Sequence, residues 1–164
     1  MNPWSVVLFS ATLLVAPSAL CGEGNCTKLD DSSRPDCPGA IAFLNKLQTV
    51  LRNDDRNAVA SLVRYPLLTS LHAKKVRIAD RAQLLTHYEE IFDAGIRCSV
   101  LNASAKDLWG NWQGFTTGNG AVWFDGVIPE TAKVNTNATD YWTKHPFKII
   151  TVNNGSVTIP CKSK

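Results

Sequence analysis

The order of periodicities along the chain predicts an α+β fold: a curved antiparallel sheet with one face covered by about three N-terminal helices. Helical spacing runs from residue 38 to about 95, and extended patterning with glycine-centred hairpins runs from residue 96 onward. The length of 164 residues, with 45% apolar and 19% charged side chains, fits one domain with a core of its own. It excludes a disordered chain, a collagen and a polytopic membrane protein.

Pro38 suits a first helical turn, and Ile41, Leu44, Leu47 and Leu51 recur at spacings of three and four with Phe43 and Val50 beside them. This predicts a first helix over about 38–52. Asn53-Asp54 ends it and caps a shorter helix through Val59, Leu62 and Val63. Tyr65-Pro66 is expected to break that helix, because a residue before proline is pushed toward extended geometry. Residues 67–71 and 76–78 read as a hairpin around Ala73-Lys74-Lys75. Asp80 with Gln83 opens a third helix like a capping box, and Leu84, Leu85, Tyr88, Ile91 and Phe92 form its apolar face up to Ala94-Gly95.

Beyond Ile96 the pattern predicts strands. Residues 108–116 and 121–127 flank Thr117-Gly118-Asn119-Gly120, and residues 147–152 and 157–159 flank Asn154-Gly155. Gly110, Gly114 and Gly126 fall inside these strand patterns, where glycine marks bulges or tight bends. One face of the sheet is expected to be covered by the helices.

Residues 1–21 contain no charge, and 14 of the 21 are apolar. The apolar run 6–15 has the length of a signal-peptide core and is too short to span a bilayer, while Ala16, Ser18 and Ala19 supply small residues for cleavage. The expected organisation is a signal peptide (1–21), a disulfide-tethered leader (22–37), one domain (38–161) and a tail (162–164). The mature protein is then secreted or periplasmic. Leu20 before Cys21 argues against a lipoprotein, because such signals want a small residue there.

Cleavage leaves Cys26, Cys37, Cys98 and Cys161, an even set that suits two disulfides in an oxidising compartment. Four cysteines allow three pairings. Cys26–Cys37 with Cys98–Cys161 is preferred, because the first closes a Pro- and Asp-rich segment with little core and the second ties the chain end to the start of the sheet. No metal and no other cofactor is expected: there is no C-x-x-C, and His72, His87 and His145 sit at no ligand spacing. The net charge of +3 and the short clusters Lys74-Lys75-x-Arg77 and Lys162-x-Lys164 fall short of a nucleic-acid stripe. Asn25, Asn102, Asn137 and Asn154 each open an N-x-S/T sequon, and Asn154 also reads as a turn residue.

The succession of helix, short helix, Tyr-Pro, small hairpin and a helix reading Tyr88-Glu89-Glu90-Ile91-Phe92 leads to Trp112-Gln113-Gly114, Gly118-Asn119-Gly120 and Val122-Trp123-Phe124. This order resembles the nuclear transport factor 2-like superfamily, in particular its secreted members with a "WQG … GxG … WF" sheet, and covers roughly residues 38–160. The resemblance implies a cone-shaped α+β barrel, a curled sheet wrapped around helices with a cavity between them. The superfamily includes ketosteroid isomerase-like, polyketide cyclase-like and dehydratase-like enzymes as well as transport factors and binding domains, so fold alone does not choose among them. No catalytic motif of those enzymes is matched here residue by residue.

Trp109, Trp112, Trp123 and Trp142 all fall in the sheet half. With Phe115, the tryptophans 109, 112 and 123 are the candidate ligand-binding residues, since indoles on a concave face make an apolar, hydrogen-bonding pocket. Burial in the core is the competing role for the same residue types. Trp112, Gly114 and Thr116 are expected to share one strand face, with Asn111, Gln113 and Phe115 on the other.

Cofactor-free acid–base chemistry needs a carboxylate or histidine of shifted pKa beside a phenol or second acid. Asp125, Tyr88, His87, Asp93 and Tyr65 are the candidates, each with an ordinary role as turn, helix-end or surface residue. No serine nucleophile elbow, phosphate-binding glycine loop or Cys–His pair is present. The leading expectation is therefore a secreted domain that binds a small apolar molecule or a protein partner in or near its cavity. The alternatives are a cofactor-independent isomerase, lyase or cyclase, and a secreted immunity or inhibitor protein. A homodimer is left open; nucleic acid and a stable membrane span are not expected.

Overall fold

The computed structural model describes residues 28–29, 37–117, 120–128 and 145–154. The expected signal peptide, Cys26, Cys161, Trp142, the strand at 157–159, the sequons at Asn25 and Asn137 and the tail lie outside these residues. The fold is α+β. In chain order it comprises β1 (Lys28–Leu29), α1 (Cys37–Arg52), α2 (Arg56–Ser61), β2 (Val63–Leu71), β3 (Lys74–Ile78), α3 (Arg81–Thr86), α4 (Tyr88–Ile91), α5 (Ala94–Asn102), a 3-10 turn (Ala105–Asp107), β4 (Trp109–Asn111), β5 (Gly114–Thr117), β6 (Val122–Gly126) and β7 (Phe147–Val152).

The strands form one sheet in the order β1-β4-β5-β6-β7-β2-β3. It is mixed, because β1 runs parallel to β4 and β2 parallel to β7, whereas the other pairs are antiparallel. A purely antiparallel sheet is thus corrected, and so is the closed barrel: the described sheet ends in two edges, β1 and β3. Inserting the β2–β3 hairpin between helices brings β2 alongside β7, which antiparallel hairpins alone would not do. Lys28–Leu29 belongs to the sheet although it falls in the segment read as a leader.

Local chemistry explains where the elements depart from expectation. Asp55, not Asn53-Asp54, caps α2 by accepting a hydrogen bond from the Ala58 N–H at 2.9 Å. That helix stops at Ser61, so Val63, Tyr65 and Pro66 belong to β2 rather than to a helix end. Residues 64–67 are passed over in the β2–β7 register between Val63↔Ile149 and Leu68↔Thr151, which is where a proline without an N–H fits. His72 and Ala73, both at positive φ, make the β2–β3 turn, and Lys74-Lys75 lie in β3.

The single third helix expected over 80–95 is instead three. Asp80 caps α3, with the Gln83 side chain returning to the Ala79 N–H rather than to the cap itself. The chain breaks at His87, and Asp93 caps α5 through the Ile96 N–H. Ala94-Gly95 therefore begins a helix, and residues 96–102, including Cys98, are helical where strand was expected. A tertiary bond supports this: the buried Gln48 amide donates to the Val100 and Ala103 carbonyls at 3.0 and 2.8 Å, satisfying the C-terminal end of α5.

The core lies between the helices and one face of the sheet. Phe43 of α1 meets Phe124 at 4.8 Å and Phe147 at 5.9 Å, and Phe115 adds its ring to both at 6.2 and 5.9 Å. Tyr88 stacks on Phe92 at 5.3 Å. Burying each phenyl ring contributes about 1.5–3 kcal/mol, so this cluster anchors α1 to β5, β6 and β7. Among the described residues no helix is long and apolar enough to cross a membrane.

Candidate functional site

Alternation along the strands sorts the candidate residues. Val122 and Phe124 of β6 are buried in the core, so Trp123 and Asp125 between and after them point to the opposite face. Register then sets a row across that outer face: Trp109 opposite Thr116, Thr116 opposite Trp123, Trp123 opposite Thr151, Thr151 beside Leu68, and Leu68 opposite Arg77. The Trp109 and Trp123 rings meet edge to face at 5.7 Å with Thr116 between them in register. Thr116 is only 6% exposed, and its hydroxyl donates to the Val122 carbonyl at 3.0 Å, so the row keeps its middle residue satisfied while covered by indoles.

A hollow of about 320 Å³ opens beside this row, lined by Gln113, Trp123, Ile150 and Thr151. A bulge builds its floor: β6 residues Trp123 and Phe124 pair with Thr151 and Ile149, which leaves Ile150 unopposed. Gln113 reaches it from the β4–β5 turn, where the Asn111 carboxamide accepts from the Gln113 N–H at 2.8 Å. Gly114 closes that turn at φ +135°, and a Cβ there would stand 2.8 Å from the Phe124 carbonyl oxygen. Only glycine fits this approach. Trp123 runs past Gly120, whose Cβ would lie 3.7 Å from the indole nitrogen. A second hollow of about 150 Å³ is lined by Leu68, Thr69, Ser70, Lys75, Val76, Thr151 and Asn153.

The structure brings together Trp109 and Trp123 of the four expected binding residues. Phe115 is fully buried in the phenyl cluster on the other side of the sheet. Trp112 sits in the β4–β5 turn, 79% exposed, and does not share a strand face with Thr116. Sequence patterning treated residues 108–116 as one strand, and the three-residue strands around a tight turn invert which side chains are neighbours.

The acid–base candidates occupy separate surroundings. Asp125 lies on the outer face, its carboxylate accepting from the Gly126 N–H at 2.9 Å and its backbone opposite Lys148. Asp93 is committed to capping α5, and His87 forms the junction of α3 and α4. Tyr65 donates to the Ala60 carbonyl at 3.0 Å, and its pKa is pushed up to about 12, chiefly by burial, with Asp80 adding to the rise and Arg81 opposing it. Tyr88 is 1% exposed, and its hydroxyl has no partner among the described residues.

Burial likewise raises the Tyr88 pKa, against the opposing fields of Arg97 and Arg56. Both guanidinium groups lie 5.2 Å from the Tyr88 ring centre and pair with Asp54 and Glu89. This ion-pair network, invisible to sequence spacing, pins the α1–α2 junction to α4 and α5. Asp125 is separated by the sheet from Tyr88, so no carboxylate–phenol pair forms between them.

No cluster of three or more His, Cys, Asp or Glu that could hold a metal occurs among the described residues. Asn154, read from sequence as a turn or glycosylation site, has a further role. Its carboxamide accepts from Thr69 Oγ1 and the Ser70 N–H and donates to the Ser70 and Glu90 carbonyls, at 3.0, 2.9, 2.5 and 2.9 Å, joining β2 to α4. Comparison with protein-family models, curated proteins and solved structures finds no match.

Proposed function

We propose that the protein is a secreted, disulfide-stabilised binding domain without catalytic activity, and that it holds a small apolar ligand on the outer face of the sheet around Trp123. The observation that carries this reading is the hollow of about 320 Å³ at Gln113, Trp123, Ile150 and Thr151, which offers an indole face to a ligand. The interior offers less: the described space between α1 and the sheet is filled by Phe43, Phe115, Phe124 and Phe147.

The reading keeps the signal peptide at 1–21 and the pairs Cys26–Cys37 and Cys98–Cys161. Disulfides at Cys37 and Cys98 would go with an oxidising compartment. It also takes the chain as a relative of the nuclear transport factor 2-like proteins, supported by the α+β character and the helix–hairpin–helix–sheet order.

An environment-sensitive apolar dye tests the site. Its emission should rise on binding the native protein, and Trp123→Ala should weaken binding by about tenfold, as loss of a large aromatic anchor does. Trp112→Ala should change it little. Equal dye response in native protein and Trp123→Ala would remove the outer face as the site.

A further inference from the structure

We propose that the ligand class of this face is an amphiphilic anion: an elongated molecule whose carboxylate meets Lys75 and whose apolar body crosses Thr151 onto Trp123. This rests on the outer face being the binding site and names what that site selects. The two hollows share Thr151, one extending to Trp123 and Ile150, the other to Leu68, Ser70 and Lys75. Cross-strand register gives the same line, since Thr151 stands between Trp123 on β6 and Leu68 on β2. Two strand spacings make that span about 10 Å, and β3 lies one spacing farther.

Charge enters at one end of this line. Trp123 and Ile150 supply apolar surface beside Gln113, and Leu68 and Val76 continue it toward β3. At the other end, Lys75 opposite Ser70 and Arg77 opposite Leu68 share the outer face of the edge strand. No described carboxylate pairs with Lys74, Lys75 or Arg77, whereas Arg56 and Arg97 are paired with Asp54 and Glu89. The Asp125 carboxylate of this face lies opposite Lys148, two residues along β6 from Trp123, with β7 and β2 between it and β3. The β3 end therefore presents positive charge that no described carboxylate offsets, next to the Ser70 and Thr151 hydroxyls, a complement to a carboxylate. An uncharged ligand leaves these cations unused, and a cationic one is repelled by them.

Calorimetric titration of the oxidised protein with decanoate, decanol and decyltrimethylammonium, each below its aggregation concentration, separates the possibilities. Decanoate should bind about fivefold tighter than decanol, the advantage expected of one partly exposed ion pair, and the ammonium weakest. Lys75→Gln should bring decanoate down to the affinity of decanol measured on the same variant; about 0.5 M salt should do the same to the native protein by screening. Equal affinities for decanoate and decanol, or a preference that survives Lys75→Gln, would overturn the anion assignment while decanol binding lost in Trp123→Ala preserved the site. Failure of all three to bind would overturn both.

Discussion

The two faces of the sheet use aromatic residues in opposite ways. On the helical face, Phe115, Phe124 and Phe147 close against Phe43 of α1 with ring centres between 4.8 and 6.2 Å apart. On the outer face, Trp109 and Trp123 meet edge to face at 5.7 Å, and a hollow remains beside Trp123. The difference follows from what covers each face. Phenyl rings have no polar atom and can be enclosed by a helix at no hydrogen-bonding cost, whereas an indole N–H left without an acceptor is best kept at a surface where a ligand or water can reach it. Stability should therefore reside on one face and binding on the other.

The largest effect should come from breaking the helical face. Phe124→Ala should cost about 3–5 kcal/mol in urea unfolding, the range for truncating a buried aromatic ring. Trp123→Ala, on the half-buried outer side of the same strand, should cost clearly less while losing the dye. Similar losses for the two would erase the division between the faces.

Asn154→Ala should follow at about 2–3 kcal/mol, because it strands the Ser70 N–H and the Ser70 and Glu90 carbonyls together. Since the same carboxamide supplies those bonds, glycan attachment there should be absent from the folded protein, which peptide mass mapping would check.

The smallest effects distinguish the two phenols. Tyr65→Phe should cost about 1 kcal/mol through its bond to the Ala60 carbonyl, whereas Tyr88→Phe, which removes a buried hydroxyl without a described partner, should be neutral or slightly stabilising. Both phenols keep their protons in the folded state beyond the pH at which the unfolded chain releases them. For Tyr65 the stabilisation is complete below its unfolded value of 10.0 and is lost as pH rises toward about 12. Urea midpoints measured across that window should fall less steeply in Tyr65→Phe than in the native protein. An unchanged slope would show that the phenol is not the source.

Much of this architecture was legible in the chain. The Leu44–Leu47–Leu51 stripe located α1 within a residue, and alternation around Phe124 located β6, because both elements bury one continuous face. Residues 94–102 were misread: α5 alternates little in polarity, and its placement depends on Gln48, distant in sequence, bonding to Val100 and Ala103. The tryptophans stood out in the sequence, but the sides they face were not legible, since Trp112-Gln113 looked like strand interior and is a turn. In the sequence, Lys74-Lys75 read as the centre of a hairpin and the cluster Lys74-Lys75-x-Arg77 as too short for a nucleic-acid stripe. Its relation to Trp123 passes through β2 and β7, a parallel pairing that local patterning does not encode.

The most direct measurement of the central claim is the indole N–H region of a nitrogen-15 correlation spectrum during titration with decanol, with each tryptophan assigned by substitution. The account predicts that the Trp123 resonance moves most, Trp109 follows through its edge-to-face contact, and Trp112 stays nearly still. Movement confined to Trp112 or Trp142, with Trp123 unchanged at saturation, would contradict it.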